Sequence, residues 1–577
     1  MPDRYRERAM APWGWVTRWD LVLLPLVIAV FFVLAWAGSH TPAGQYVGTN
    51  PTLSLDPALL PIYALKTTLR MACALVFSFA FTLLVGTWAA KSARAEKILV
   101  PLLDIGQSVP ILGFLPFALL WALKFIHDPI VSADIAAIFA IFTSQVWNMA
   151  FSYYHSLKLM PKELKQAASV FQLSTWQRFR RLELPHAMPG LVWNTMMSVS
   201  GGWFFVVAAE AITVSDHRVL LPGIGSYISV AISHRDLGAI GWAILAMFVV
   251  IMLYDQLAFR PLVAWAEKFK MHPSSEEAPR SWFLNLLRRS GLVESLRLAI
   301  GQLRATLHRP RPPHRKAPIR ERARIIRLSP RLGDASWNVL LGAVAVATVV
   351  FMGRYILVDV GGGEIAQVFL MGFYTLVRVV VLTALASLIW VPIGVWIGLS
   401  NKWARRAQPF VLFLSAFPAN LLFPLVVVVI LSWQLNLEIW LSPLMVLGAQ
   451  WYILFNVIAG AQQVPGDLRE VADNLGLKGW RRWKRLYLPA ILPSYVTGGL
   501  TAAGAAWNAS IVAEIVSWGP HTLIAKGLGS YIALQAADGD QPRLVLGIAV
   551  MIIYVLLMNR LIWSRLYRLA ERRYADV

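Results

Sequence analysis

The 577 residues are 57% hydrophobic, with a mean hydropathy of +0.58, one cysteine and a formal net charge of +22. A lone Cys73 excludes an intramolecular disulfide and a thiolate metal cluster, and apolar runs near the roughly 20 residues that span a bilayer exclude an ordinary soluble domain. The positive charge could signal nucleic acid, but Lys and Arg gather on the cytoplasmic loops of membrane proteins, and here they do so on alternate sides.

In chain order, Arg4, Arg6, Arg8 and Arg18 precede a first apolar run at 21–38, and the loop from Ser39 to Ala64 holds no Lys or Arg. Further spans are expected near 68–90, 99–124, 133–155, 188–212 and 238–258, then near 337–355, 372–399, 408–433, 438–461, 491–516 and 543–563. Basic loops at Lys91–Lys97, Lys158–Arg181, Arg260–Arg331, Lys402–Arg406, Arg469–Arg485 and Arg560–Arg573 then face one side, with both termini cytoplasmic. Ala35-Trp36-Ala37 resembles a cleavage site, but the matching first helix of the second half favours a retained span. The fold class is therefore an all-α polytopic membrane protein of about 12 transmembrane helices. Residues 1–259 and 336–577 are two repeats, joined by a basic, Pro-containing connector at 260–335.

The repeat is explicit. Pro161 matches Pro465, Trp147 matches Trp451, Trp203 matches Trp507, Glu210 matches Glu514, and Gly223-Ile-Gly-Ser-Tyr-Ile228 matches Gly527-Leu-Gly-Ser-Tyr-Ile532, all at an offset of 304 (465 − 161). Earlier positions, Arg70 with Arg378 and Pro110 with Pro418, match at 308 (378 − 70), so a four-residue difference lies between Pro116 and Trp147. An even number of spans in each half gives two parallel repeats. Pro110, Pro116, Pro418 and Pro424 interrupt the third span of each half, so the third and fifth spans are expected to form the central interface, with solute near the midplane.

On the cytoplasmic side, Leu164, Ala167, Ala168 and Phe171 fall on one helical stripe, as do Leu468, Val471, Ala472 and Leu475. Asp467 with Glu470 has N-cap spacing, Gly476 suits a left-handed stop, and Ser174-Thr175-Trp176-Gln177 has capping-box spacing before Leu184-Pro185. A rigid bent element of this kind suits docking into a groove of another protein.

At these residues the chain resembles the permease subunits of binding-protein-dependent ATP-binding-cassette importers, marked by Glu-Ala-Ala, three residues, Gly, and a later Leu-Pro. The resemblance implies a fused pair of type I importer permease repeats whose coupling helices insert into the ATPase. The corresponding positions are Gln166, Ala167, Ala168 and Gln172, and Glu470, Val471, Ala472 and Gly476. Gln172 stands where the pattern has Gly, and a left-handed Gln costs about 1–2 kcal/mol. The first turn is thus expected to take a different shape and the two ATPase contacts to be unequal. The segments around Trp203 and Trp507 look like the nitrate, sulfonate, taurine and bicarbonate branch, which implies a small anionic solute brought by a periplasmic or lipid-anchored binding protein.

No Gly-x-x-x-x-Gly-Lys-Ser/Thr stretch occurs, and no catalytic or metal constellation is visible. The chain is expected to be no enzyme and to hold no cofactor or metal, with ATP and Mg bound by two copies of a separate ATPase and no nucleic-acid partner. The bacterial inner membrane is the expected location.

Trp203, Glu210, Trp507, Asn508 and Glu514 are candidates for the translocation pathway or gate. A carboxylate within a span costs about 2.5–3.5 kcal/mol, so Glu210 and Glu514 should face protein or water. A hydrogen bond pinning the fifth helix to the following loop is the favoured reading of both, because facing carboxylates repel an anion. Two rival functions remain. An ion-coupled secondary transporter needs no docking element, and a membrane scaffold or sensor would show no vectorial uptake.

Overall fold

Apolar runs longer than a bilayer is thick become single helices wherever no proline or deletion interrupts them. The computed structural model describes residues 47–48, 53–269 except 109, 127, 215 and 216, then 281–291, 295, 298 and 330–574. Among these, seven helices are long and apolar enough to cross a membrane, or nine if each of two bent pairs counts as one span. The fold is an all-α polytopic membrane protein, with two small β-sheets as its additions. The expected first span at 21–38 lies outside the described residues.

One compact unit comprises Pro42–Asp255 and Ile356–Val577, and so holds most of both repeats. Its first repeat contains the helices Leu60–Lys91, Pro129–Lys158, Leu184–Glu210 and Leu237–Tyr254. The second contains Gly362–Gly398, Gln450–Gln462, Leu488–Ala513 and Gln541–Met558. The third span is broken in both, into Ala93–Ser108 and Ile111–Phe125, and into Asn401–Ala416, Ala419–Leu422 and Phe423–Ser432. Pro110 and Pro418 sit at the breaks in extended conformation, since proline disfavours a helical residue before it and donates no hydrogen bond. In the second repeat the bend between Lys402–Ala416 and Ala419–Ser432 is 76°.

The fourth spans differ. Pro129–Lys158 is continuous, whereas its counterpart, expected as one helix over 438–461, bends by 43° between Leu437–Met445 and Gln450–Gln462. The four missing residues fall here, because Asp128 and Asn436 are equivalent N-caps at an offset of 308, while Asp134 and Glu438 match at 304. Four residues are about one helical turn, so the deletion returns the acidic side chain to the same face.

The fifth spans end at Glu210 and Ala513, earlier than the sequence pattern suggests. Beyond them, Ala211–Val214 pairs antiparallel with His217–Leu220, joined on its other edge by Val47–Gly48, and Ile515–Trp518 pairs with His521–Ile524. Short helices Ile224–Ser233 and Leu528–Asp538 follow.

The other unit is built on Gln256–Tyr355. There Arg260–Ala266 packs beside Trp282–Arg289, whose start is capped by Ser281, the hydroxyl accepting from the Leu284 N–H at 3.1 Å. This second helix is amphipathic, with Leu286 buried and Trp282 exposed. The stretch 310–316 lies outside the described residues.

Candidate functional site

Two matched polar cages close the C-terminal ends of the fifth helices. Glu210 is fully buried, and its carboxylate accepts from Thr67 Oγ1 at 2.7 Å, Arg70 Nη1 at 2.7 Å and the Gly225 N–H at 2.7 Å. Arg70 also donates to Asp134 at 2.6 Å and to the Pro222 carbonyl at 3.0 Å, while Thr67 Oγ1 accepts from the Ile224 N–H. In the second repeat Glu514 accepts from Thr375 at 2.8 Å, Arg378 at 2.9 Å, Gly529 N–H at 2.8 Å and Ser530 N–H at 3.2 Å. Arg378 pairs with Glu438 and donates to the Lys526 carbonyl, and Thr375 accepts from Leu528 N–H. A buried carboxylate is tolerable here because every oxygen has a partner and one partner is a cation.

The same cages explain Gly-x-Gly-Ser-Tyr-Ile. A Cβ on Gly223 would lie 2.3 Å from the Glu210 carboxylate, and one on Gly527 2.1 Å from that of Glu514. The second glycines let the short helix approach the fifth helix, since a Cβ on Gly225 would lie 2.1 Å from the Val207 carbonyl and one on Gly529 2.4 Å from the Ser510 backbone. Both requirements are for space, because Gly223 and Gly527 are in extended backbone.

At the centre, each broken third span meets the fifth helix of the other repeat, as the sequence reading expected. Asn508 accepts the Ile111 N–H at 2.8 Å, capping from the second repeat a helix of the first that starts just after Pro110. In the mirrored position Asn420 Nδ2 donates to the Phe204 carbonyl at 3.4 Å, and Trp193 stacks on Phe455 with ring centroids 5.2 Å apart. Beside this contact lies a small cavity of about 60 Å³, bordered by Phe204, Phe205, Phe417, Ala419, Tyr452 and Ala505 among others.

None of Trp203, Glu210, Trp507, Asn508 and Glu514 is among the residues lining that cavity. Trp203 is buried edge-on to Tyr254, and Trp507 is buried and stacked on Tyr554 with its indole N–H unpaired among the described residues. Both glutamates are enclosed in this conformation and bound to the loop that follows them. Sequence reasoning listed Arg70 and Arg378 only as repeated positions and missed their role, together with Thr67, Thr375, Asp134 and Glu438. An arginine repeated within a span was the available signal, since such a charge demands a partner.

On the side with the basic loops, Lys162–Val170 and Gly466–Asn474 form the two short helices, each followed by a turn. The turns have one shape, contrary to expectation: Gln172 has φ 47° and Gly476 φ 63°. Leu173 N–H donates to Ala168 O at 3.1 Å and Leu477 N–H to Ala472 O at 2.9 Å, the Schellman pattern that satisfies end carbonyls and holds Gln172 left-handed. Asp467 is not an N-cap, because the helix starts at Gly466 after Pro465; it lies in the first turn, where a negative charge complements the dipole. The Ser174–Gln177 capping box is present in full.

The expected docking stripe is divided. Leu164, Ala168, Leu468 and Ala472 pack toward their own repeat, with Ala168 and Ala472 buried, so these two seat the helix rather than offer a surface. Gln166, Gln172, Glu470, Val471 and Gly476 are exposed, with Ala167 half-buried. Phe171 and Trp176 in the first element, and Leu475 and Trp480 in the second, add exposed apolar surface. Arg469 ties the second helix down through the carbonyls of Leu399, Ala461 and Val464.

Comparison with known proteins places these features. The family of binding-protein-dependent transport system inner membrane components matches twice, at residues 82–259 and 390–576. The chain is 29% identical over 205 residues to a bicarbonate transport system permease protein of Synechococcus elongatus, covering 35% of this chain and 69% of the relative. It is 27% identical over 268 residues to a nitrate import permease protein of Synechocystis, covering 43% and 91%. Against the glycine betaine/proline betaine transport system permease protein of Escherichia coli it is 26% identical over 235 residues, covering 40% and 61%. Relatives of this kind are permease subunits, not enzymes. A membrane-embedded chain with the family domain in each half, and one cage and one turned helix in each half, belongs to the binding-protein-dependent transport system inner membrane component family.

Proposed function

We propose that this chain is the complete translocation core of an ATP-driven importer, both permease halves in one polypeptide, moving a small solute such as nitrate, bicarbonate or a sulfonate across a bacterial inner membrane. Two copies of a separate ATPase, which bind ATP and Mg, dock on the elements around Gln166–Gln172 and Glu470–Gly476, and a periplasmic or lipid-anchored binding protein delivers the solute outside. The termini and the 260–335 connector lie on the cytoplasmic side in this reading. The observation that carries it is the duplicated short helix, closed by the same left-handed turn at Gln172 and Gly476, with apolar side chains exposed beyond it.

In this mechanism ATP-driven closure of the ATPases draws the two short helices together, because the closed dimer favours one membrane conformation through its contacts with them. The helices are stiff and seated by Leu164, Ala168, Leu468 and Ala472, so displacement passes into the fourth and fifth spans. Glu210 and Glu514 hold the outer hairpins to the fifth helices, so the gate moves as a unit with them. The deciding experiment is co-purification followed by uptake into proteoliposomes. ATP-dependent uptake with a bound Walker-motif subunit supports the importer, whereas uptake driven by an ion gradient without ATP establishes the secondary-transporter alternative.

A further inference from the structure

The hairpins that follow the two fifth helices differ in one respect. In the first repeat His217–Leu220 is a central strand, with Ala211–Val214 on one edge and Val47–Gly48 on the other. In the second, His521–Ile524 pairs with Ile515–Trp518 alone. The reason lies in the connections. Val47–Gly48 belongs to the chain that leads into Leu60–Lys91, whereas only Val360 and Gly361 separate the helix Pro330–Asp359 from Gly362–Gly398, which leaves no chain for a strand.

Register identifies the groups left open. The Ala525 N–H donates to the Glu514 carbonyl at 2.8 Å, and alternation along an antiparallel ladder makes Val516–Leu523 and Trp518–His521 the next bonded pairs. Thr522 and Ile524 therefore turn their N–H and C=O to the other edge. Both residues are exposed, and no main-chain partner meets that edge among the described residues. Lys526, next in the same alternation, already donates its N–H to Glu438 at 3.0 Å. The counterpart of Thr522 is Arg218 (522 − 304), which is paired with Gly48, so the same edge takes a strand elsewhere in this molecule.

We propose that the open edge of His521–Ile524 is a docking site for an extended segment of the solute-binding protein, added as a strand through main-chain hydrogen bonds to Thr522 and Ile524. The proposal rests on the importer reading and supplies its contact on the delivery side. The fifth helix Leu488–Ala513 has 26 residues, about 39 Å at 1.5 Å per residue, and its N-terminal end follows the turned element at Gly466–Asn474. Its hairpin therefore emerges across the ~30 Å hydrocarbon core from the ATPase side, where a binding protein delivers solute. An unpaired edge is a template for another strand, and strand addition draws affinity from main-chain bonds and selectivity from alternate side chains. Two outward residues give a short ladder, which suits one contact within a larger docking surface better than self-association through the edge alone.

The test is binding of the solute-loaded binding protein to the full-length permease in lipid nanodiscs, read as Kd and as amide hydrogen exchange resolved at 521–524. The binding protein is expected to slow exchange at Thr522 and Ile524 by about tenfold, with His521 and Leu523 already slow in the permease alone. Thr522→Pro removes one outward N–H and keeps the bonds to Ile515–Trp518, so it should weaken binding about tenfold. Thr522→Ala keeps the main chain and should bind as the parent does. Unchanged exchange at both amides in the complex overturns the proposal, as does unchanged binding by Thr522→Pro once its melting curve matches that of the parent. Amides already slow before the binding protein is added overturn it too, because the edge is then filled by this chain or, where the slowing rises with permease concentration, by a second copy. ATP-driven uptake with no binding protein bound has the same consequence. Protection by the binding protein without ATP-driven uptake counts against the importer alone.

Discussion

The two repeats agree at the cages that close their fifth helices and diverge at the centre and at the turned helices beside the basic loops. Arg70, Asp134, Glu210 and Thr67 form the same cage as Arg378, Glu438, Glu514 and Thr375, even though a four-residue deletion precedes Glu438. The inner turned helices keep their backbone path but change their chemistry, with Gln172 opposite Gly476 and Lys165 opposite Arg469. A buried charge leaves no room for drift, because any unpaired member is stranded away from water. An exposed turn tolerates a substitution that costs only modest strain.

Removing the cation from either cage should have the largest effect. Arg70→Met leaves Glu210 and Asp134 without it and should destabilise the protein by about 3–5 kcal/mol. Arg378→Met should cost less, because the Arg378 side chain is 12% exposed against 7% for Arg70. Melting curves in detergent check this, and equal or negligible losses would break the claim that the cages are buried keystones. Next, Gly223→Ala and Gly527→Ala should each cost about 1–3 kcal/mol by crowding a carboxylate, with similar losses in both repeats.

At the inner turns the comparison predicts opposite signs. Gly476→Val should cost about 1–2 kcal/mol of backbone strain, while Gln172→Gly should relieve up to a similar amount. ATP hydrolysis measured against uptake should show Gly476→Val uncoupling the two with the protein still folded; normal coupling counts against a transmission role for that turn. Asn508→Ala should cost about 1 kcal/mol as a lost cap on Ile111, whereas Asn420→Ala, whose contact at 3.4 Å is longer, should cost less.

The smallest effect is in the first repeat only. Glu96 is held below the usual carboxylate range by hydrogen bonds from Lys158 and Tyr154. Its counterpart and that of Lys158 are Ala404 and Gln462, which form no such pair (96 + 308, 158 + 304). A folded value below the unfolded one means that the stabilisation is present above the ordinary glutamate pKa and fades as pH falls through the lowered value. Melting temperature followed into acid should therefore fall less in Glu96→Gln than in the parent, and identical slopes would remove the link.

Much of the fold was legible because its signals are local. Period and length identify the spans, prolines mark the breaks, and Ser174 with Gln177 caps a helix through neighbours three residues apart. Reasoning from residue preference misjudged two turns and missed the distant partners. Gln172 takes a left-handed turn that its own preference opposes, because the two hydrogen bonds closing the helix outweigh the strain. Asp467 has cap spacing, yet Pro465 starts the helix earlier and removes the need. Of the site, Glu210 and Glu514 were visible as costly charges, but not what met them. Thr67 is 143 residues from Glu210, and no spacing rule reaches so far.

Sequence by itself determined the duplication, the apolar runs and the presence of two turned elements, since each follows from hydrophobicity, punctuation and repeated residues along one chain. Only tertiary structure decided which charges neutralise one another, that Asn508 caps the opposite repeat, and that half of each inner stripe faces inward. Those outcomes depend on which surfaces meet when the helices pack. Burial and pairing are properties of contacts, and contacts between residues far apart in the chain have no local signature.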